Sequence, residues 1–325
     1  MVFRSRVGVI LYVNRSGSTL LSRLLSDASA ELFVFPELHF TLGLLAAQRR
    51  GRDVDQPSLL RGASRDPRLS ALGVDPAMLA RLCADHAGDL HGLLDAIATH
   101  RLGHPPRAIV VKLEPYVDFV PELDTLFDTP VLIHALRDPR ATVSSMLNTP
   151  VPGKPGFDMA RGSAVWAARH WVRDTQKVER LAATRTVVPV RYETMVADPA
   201  AAIEPVLDAL GIEATGNGPP YVVAGVDAAL HPHVHAPVDT RHAQGWRSRL
   251  SARDMRAIEA IGGEAMRRYG YRTEAEVQRL SLGDRVRHWR AMAAHAGGTA
   301  WLYARDPAKR RALVDRLRLA SAQRG

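Results

Sequence analysis

The sequence predicts an α/β fold in which a mainly parallel sheet lies between two layers of helices, continued by a helical C-terminal extension. Three observations predict it. Short, mostly apolar runs recur at 7–13, 32–35, 108–113, 131–136 and 186–191 and read as strands, and the first is β-rich and continuously apolar, the pattern of a strand covered on both faces. Segments with helical spacing separate them, and such alternation favours parallel pairing through crossovers. Glycine, proline, asparagine and aspartate stand where one period gives way to the other.

The first run ends at Asn14, and Leu20, Leu21, Leu24 and Leu25 then recur at helical spacing, so residues 14–19 join a strand to a helix. Pro36 ends the second strand. Residues from about 40 to 107 read as helices interrupted by Pro, Gly and Arg. After the fourth strand, Asp138 and Pro139 form an N-cap with proline at the first helical position, and the helix should run to about 148. A long helix is expected over 162–183. Pro189 places the fifth strand at a sheet edge or a strand start, because proline cannot donate to a ladder. Asp198 and Pro199 open a helix that Gly211 closes. Further helices are expected over 252–269 and beyond 274. The organisation expected is one α/β domain over 1–273, with 274–325 as its helical extension.

At 325 residues the chain is long enough to bury a sizeable core, and 46% hydrophobic with 24% charged content is ordinary for a globular protein. The net charge of +9 suits an anionic ligand, but nearly all of it is arginine, with lysine only at Lys112, Lys154, Lys177 and Lys309. No nucleic-acid partner is inferred from that bias. Cys83 is the single cysteine, which excludes an intrachain disulfide and a cysteine metal cluster and makes the cytoplasm the default compartment. No stretch approaches the about 20 apolar residues of a membrane span. The apolar run after Arg4 and Arg6 leads into Arg15 rather than a cleavage site, so it is read as a buried strand and not a signal. His231, His233 and His235 would align on one side of an extended strand and could ligate zinc, but such a run more often forms a polar loop. The arginine-rich tail, with Asp284, Asp306 and Asp315 interspersed, reads as a packed amphipathic helix that could serve as a homo-oligomer contact.

A strand, a short Gly/Ser/Thr loop and a helix N-terminus make an anion cradle, because the first helical N–H groups lack intrahelical partners and the helix dipole favours negative charge there. Ser16, Gly17, Ser18 and Thr19 are small enough for phosphate oxygens to reach the backbone, and their hydroxyls can donate further bonds. Arg15 adds a fixed bidentate charge. Nucleotide triphosphatases place a lysine in the equivalent loop. Its absence here disfavours ATP or GTP hydrolysis. Arg137 stands at the carboxyl end of the fourth strand, where open α/β sheets bind ligands, and Ser145 follows about two helical turns later. The two can converge on a second phosphate.

The two segments in this order resemble those of sulfotransferases that use 3′-phosphoadenosine 5′-phosphosulfate (PAPS). Residues 15–21 are similar to that family's 5′-phosphosulfate loop, and Arg137 through Ser145 to its 3′-phosphate motif. The resemblance extends to about residue 270 and implies a P-loop-like three-layer fold. It also implies that Tyr192 borders the adenine and that the segment around Trp246 closes over the nucleotide. Asn14 stands where the family usually has proline. Gly245 stands where a basic residue is expected before the tryptophan, leaving Arg241 or Arg247 to substitute.

Sulfuryl transfer needs an acceptor oxygen in line with the leaving phosphate, stabilisation of charge on the sulfuryl oxygens, and a base for the hydroxyl proton. It requires no metal. Glu37 lies just beyond the second strand, and the resemblance to bacterial carbohydrate and tyrosylprotein sulfotransferases implies a glutamate base near this point. A dry site would raise its pKa toward a useful range. His39 is the rival base. Lys112, at the end of the third strand, is expected near the reacting groups, against a surface ion pair with Glu114. The reaction expected is PAPS-dependent O-sulfotransfer to a small-molecule or carbohydrate hydroxyl, releasing 3′-phosphoadenosine 5′-phosphate (PAP). Residues 40–107 are expected to bind the acceptor. A P-loop phosphotransferase and a non-catalytic polyanion-binding protein are the alternatives.

Overall fold

The computed structural model describes residues 4–152, 154–231, 234–239, 241–274 and 279–305, except the side chains of residues 241 and 242. The chain runs β1 (Arg6–Tyr12), α1 (Ser18–Ala28), β2 (Leu32–Val34), α2 (Thr41–Gln48), α3 (Gln56–Ala63), α4 (Pro67–Ala71), α5 (Pro76–Asp85), α6 (Leu90–Leu102), β3 (Ala108–Lys112), α7 (Val120–Phe127) and β4 (Val131–Leu136). It continues through α8 (Pro139–Leu147), α9 (Ala164–Ala182), β5 (Val187–Arg191), α10 (Tyr192–Ala197), α11 (Pro199–Leu210), α12 (Gly225–Ala228), α13 (Arg241–Gln244), α14 (Trp246–Arg249), α15 (Ala252–Arg268) and α16 (Leu282–Arg305). Two compact units result: residues 1–138 with 173–245, and residues 139–172 with 246–325.

The first unit holds the whole sheet, ordered β2-β3-β1-β4-β5, with every pairing parallel. Alternation along the strands sends side chains to two cores. Val7, Val9 and Leu11 of β1 join Ile109, Val111 and Leu132 beneath the helices between β2 and β4. Ile10 and Tyr12 join Val110, Ile133 and Val190 against α1, α10 and α11. Helices therefore cover both faces, which is why the central strand β1 reads as a continuous apolar run from Val7 to Tyr12. Proline 189 is exposed on β5, which pairs only with β4, so its missing N–H interrupts no ladder.

Three of the prolines that interrupt the helical pattern between 40 and 107, Pro57, Pro67 and Pro76, are start signals. Asp55, Asp66 and Asp75 each cap a helix through the side chain, and each helix carries proline in its first turn. Asp198 caps α11 in the same way, and Gly211 ends it in the left-handed region at φ 66°. In the second unit α8, the start of α9 and α15 enclose Val143, Met146, Ala160, Ala167 and Ile258. Arg140 pairs there with Glu259 at 2.8 Å, both nearly fully buried, with the guanidinium 4.3 Å over the Trp246 ring. No helix among the described residues is long and apolar enough to cross a membrane.

Candidate active site

The connections leaving β1 and β4 depart toward opposite edges of the sheet, β1 to β2 on one side and β4 to β5 on the other. That divergence leaves a crevice at the carboxyl ends of the two central strands, the usual ligand site of an open parallel sheet. The loop after β1 occupies it. Val13 O accepts from both the Ser16 N–H (3.1 Å) and the Ser16 hydroxyl (2.7 Å), so the Ser16 side chain is spent on the turn itself. Arg15 and Gly17 both take positive φ, 71° and 94°. Only glycine fits the second position, since a Cβ there would collide with the Tyr192 ring. Gly17 also forms the N-cap of α1 without any side-chain cap, leaving the first N–H groups of an 11-residue helix open to an anion.

Two arginines flank this cradle. Arg137 donates to Arg15 O at 3.2 Å and lies 3.9 Å over the Tyr192 ring. Arg15 donates to Leu230 O at 3.1 Å, and burial, reinforced by the Arg137 charge, lowers its pKa from the ordinary arginine value. Tyr192 thus fixes Arg137 and backs Gly17 at once.

Beside the loop a carboxylate and a lysine converge. Lys112 ends β3, is 2% exposed, and donates from Nζ to Thr19 Oγ1 at 3.2 Å, with the Tyr221 ring centroid 5.4 Å away. The alternative of a surface ion pair with Glu114 is overturned by that burial. Glu37 accepts from Tyr12 OH at 2.6 Å and lies 3.4 Å from His39 Nε2. The expectation of a raised Glu37 pKa is also overturned. Burial does push it up, but the His39 contact, the Lys112 charge and the Tyr12 hydroxyl together outweigh burial and bring it to about 2. Tyr12 is correspondingly pushed well above the ordinary phenol range, by burial first and by Glu37 second, so it stays a proton donor. His39 is therefore a partner of Glu37, sharing its face, rather than a separate site.

The remaining wall comes from a distant part of the chain. Tyr221, Asp227 and His231 close the cleft over Thr19, Glu37 and Lys112, leaving ≈ 10 Å³, room for about one water. His231 Nε2 lies 3.5 Å from Thr19 Oγ1; burial, then the charges of Lys112 and Arg15, lower its pKa to about 4. A bidentate pair from Arg68 (2.8 Å for both bonds) holds Asp227, and Arg23 donates to Val234 O at 2.9 Å. These late residues were not assigned from the sequence. The three-histidine run marks the segment in the sequence as a polar loop rather than a zinc site; His233 lies outside the described residues, and His235 is exposed. A tyrosine ending an otherwise aliphatic strand was the available signal for Tyr12.

Other expected residues lie elsewhere. Ser145 is on α8 in the second unit. Arg247, also in the second unit, pairs with Glu274 and stacks 4.6 Å from the buried Trp246. Arg241 opens α13, and its side chain is outside the described residues.

An all-parallel sheet with a glycine-capped strand–loop–helix cradle at its switch point defines an α/β protein built to hold an anionic group, here with a lysine and a carboxylate alongside. The model of the sulfotransferase family matches residues 9–216, more than half of the chain, and the chain belongs to that family. No curated protein matches it. The sulfotransferase domain of the Synechococcus PCC 7002 olefin synthase superposes with a TM-score of 0.54 at 20% identity, covering 84% of this chain and 98% of that domain. The sulfotransferase domain from the curacin biosynthetic pathway superposes with a TM-score of 0.56 at 17% identity, covering 84% and 99%. Both likenesses are likenesses of fold.

Proposed function

We propose that this sulfotransferase takes PAPS as donor and transfers its sulfuryl group to a hydroxyl of a small-molecule or carbohydrate acceptor. The observation that carries the reading is the fully buried Lys112 bonded to Thr19 of the cradle beside an ionised Glu37. Burying a lysine is costly, and its attachment to the anion loop is what a group serving the transferring centre requires.

In this reading the N–H groups at the start of α1, with Arg15, hold the 5′-phosphosulfate, and Arg137 and Ser145 take the 3′-phosphate. Tyr192 serves the adenine, and Arg241 or Arg247 the closing segment. The acceptor oxygen forms a bond to sulfur while the bond from sulfur to the bridging phosphate oxygen breaks, and PAP leaves with the electron pair. Lys112 offsets charge on the transferring group and the bridging oxygen. Glu37 receives the hydroxyl proton; a carboxylate held at about 2 is fully ionised but weakly basic, and it gains proton affinity as Lys112 turns toward the departing phosphate. No step calls for a metal. Helices α2 to α6 supply acceptor contacts, and the α/β domain with its helical extension acts in the cytoplasm.

Because Arg15 is engaged by Leu230 O and the cleft holds about one water, donor entry must lift the segment carrying His231. The test is transfer of labelled sulfate from PAPS, together with thermal stabilisation by PAP, AMP and ATP. A ligand at 100 times its Kd adds about 2.7 kcal/mol. Stabilisation by PAP alone supports the reading. Equal shifts by all three would sink the 3′-phosphate assignment, and phosphate transfer from ATP would favour a kinase-like reaction. Steep salt-dependent polyanion binding without a PAP shift would favour a non-catalytic binder.

A further inference from the structure

We propose that the second unit carries its own site for an anionic amphiphile, a phosphate, sulfate or carboxylate head on an apolar chain. The proposal is independent of the donor assignment. Between α9, α15 and the turn leading into α16 lies a cavity of ≈ 420 Å³, within the range of small-molecule sites. Val165, Ile261 and Trp289 make its apolar wall, and Arg169, Arg279 and Arg285 stand around it.

Nearby Arg253 and Arg287 are both paired with Asp284, which accepts from them at 2.8 and 2.9 Å and from the Ser281 hydroxyl at 2.6 Å. That carboxylate is thereby spent. Arg169, Arg279 and Arg285 line the cavity, are exposed to solvent, and have no ion-pair partner among the described residues, so among those residues no carboxylate offsets their charge. Each offers a planar fork suited to phosphate, sulfate or carboxylate oxygens. His288 also lines the cavity, with Ser163 Oγ 3.0 Å from its Nδ1, and burial, then Arg169, lowers its pKa from the ordinary histidine value.

The apolar half of the ligand follows from α16. Trp289 is 71% exposed at the cavity, and Val286 and Leu282 continue from it on the same side of the helix at 50% and 79% exposure. Three large exposed apolar side chains in one track, beside an arginine cluster, are matched by a ligand whose head meets the arginines and whose chain covers the track. Inorganic phosphate or a neutral alcohol would satisfy only one half.

The same head-and-chain chemistry exists in free single-chain amphiphiles and in anionic bilayers, and the proposal commits to the free molecule because the site is a cavity rather than a flat face. Isothermal titration of the full chain with dodecyl phosphate, below its micelle concentration, tests it. One saturable site is expected, with dodecanol and inorganic phosphate each at least tenfold weaker. Arg279→Gln with Arg285→Gln, and separately Arg169→Gln, should each weaken binding about tenfold or more with unchanged thermal melts, and Trp289→Ala should do so without altering the phosphate affinity. Equal binding of dodecanol, or indifference to all of these substitutions, would overturn the proposal. Association with phosphatidylglycerol vesicles without binding of free dodecyl phosphate would overturn it in favour of a membrane surface.

Discussion

The Lys112 ammonium donates to Thr19 Oγ1 at 3.2 Å while only 2% of the residue is exposed. A structural lysine and a functional one answer differently to removal of the charge. Lys112→Met keeps the length and apolar stem but removes the charge that helps hold Glu37 ionised. The variant should melt somewhat lower and still fold, whereas sulfuryl transfer should fall roughly 100-fold or more. Calorimetry and labelled-sulfate turnover on the same preparation check it. A less stable variant of undiminished turnover would mark Lys112 as scaffold.

Glu37→Gln should cost about 100-fold to 10,000-fold in turnover and leave PAP affinity within about twofold, since the carboxylate serves the acceptor's proton. His39→Ala tests how Glu37 is tuned. His39 is the largest of the influences that lower Glu37, so removing it should move the acid limb of kcat/KM upward from the low value that a pKa of about 2 implies. An acid limb that stays put would show that Lys112 and Tyr12 suffice.

Gly17→Ala introduces a Cβ into the Tyr192 ring at a backbone φ of 94°. Strain of about 1–3 kcal/mol is expected, with loss of PAP binding as the ring and the stacked Arg137 are displaced. The double variant with Tyr192→Ala should recover part of the stability but not the affinity, as read by melts and isothermal titration. Recovery of both would separate Tyr192 from nucleotide binding.

His134 in β4 is fully buried, and burial alone brings its pKa to about 4. Unfolding frees it to protonate at its ordinary value near 6.5, so between pH 6.5 and 4 the unfolded chain binds more protons and stability rises with pH. The contribution is intact above pH 6.5 and is lost as pH falls toward 4, on the order of 3 kcal/mol in all. His231 adds to the same window. Melts from pH 7.5 to 4.5 should drop steadily, and less steeply for His134→Leu; an unchanged slope would discharge His134 from the acid sensitivity.

Sulfotransferase chemistry was legible where residues close in sequence carry it. Four of the five strands announce themselves because both faces are buried, β5 because its β-branched residues stand between turn signals, and the cradle because strand, loop and helix are consecutive. Even Asp198 and Gly211, which bound α11, are local signals. Tyr221, Asp227 and His231 reach the cleft from about 200 residues beyond Thr19, and no period or spacing encodes that contact. The sign of the Glu37 shift was misread for a related reason. Burial at the end of a strand can be anticipated, but the opposing effect of three partners, two of them from other strands, cannot. The prolines among α3 to α5 look like interruptions in the sequence because proline ends one helix and begins the next with equal ease; the aspartate before each decides which.

The two margins of the sheet have a consequence for how copies of this chain can meet. One margin is β2, only three residues long, and the other is β5, whose exposed Pro189 presents no N–H. Neither offers the uninterrupted row of donors and acceptors on which a second chain could extend the ladder. Intermolecular stitching of backbone to backbone, the common route to fibrous aggregates, is disfavoured at both ends, and self-assembly falls mainly to side chains.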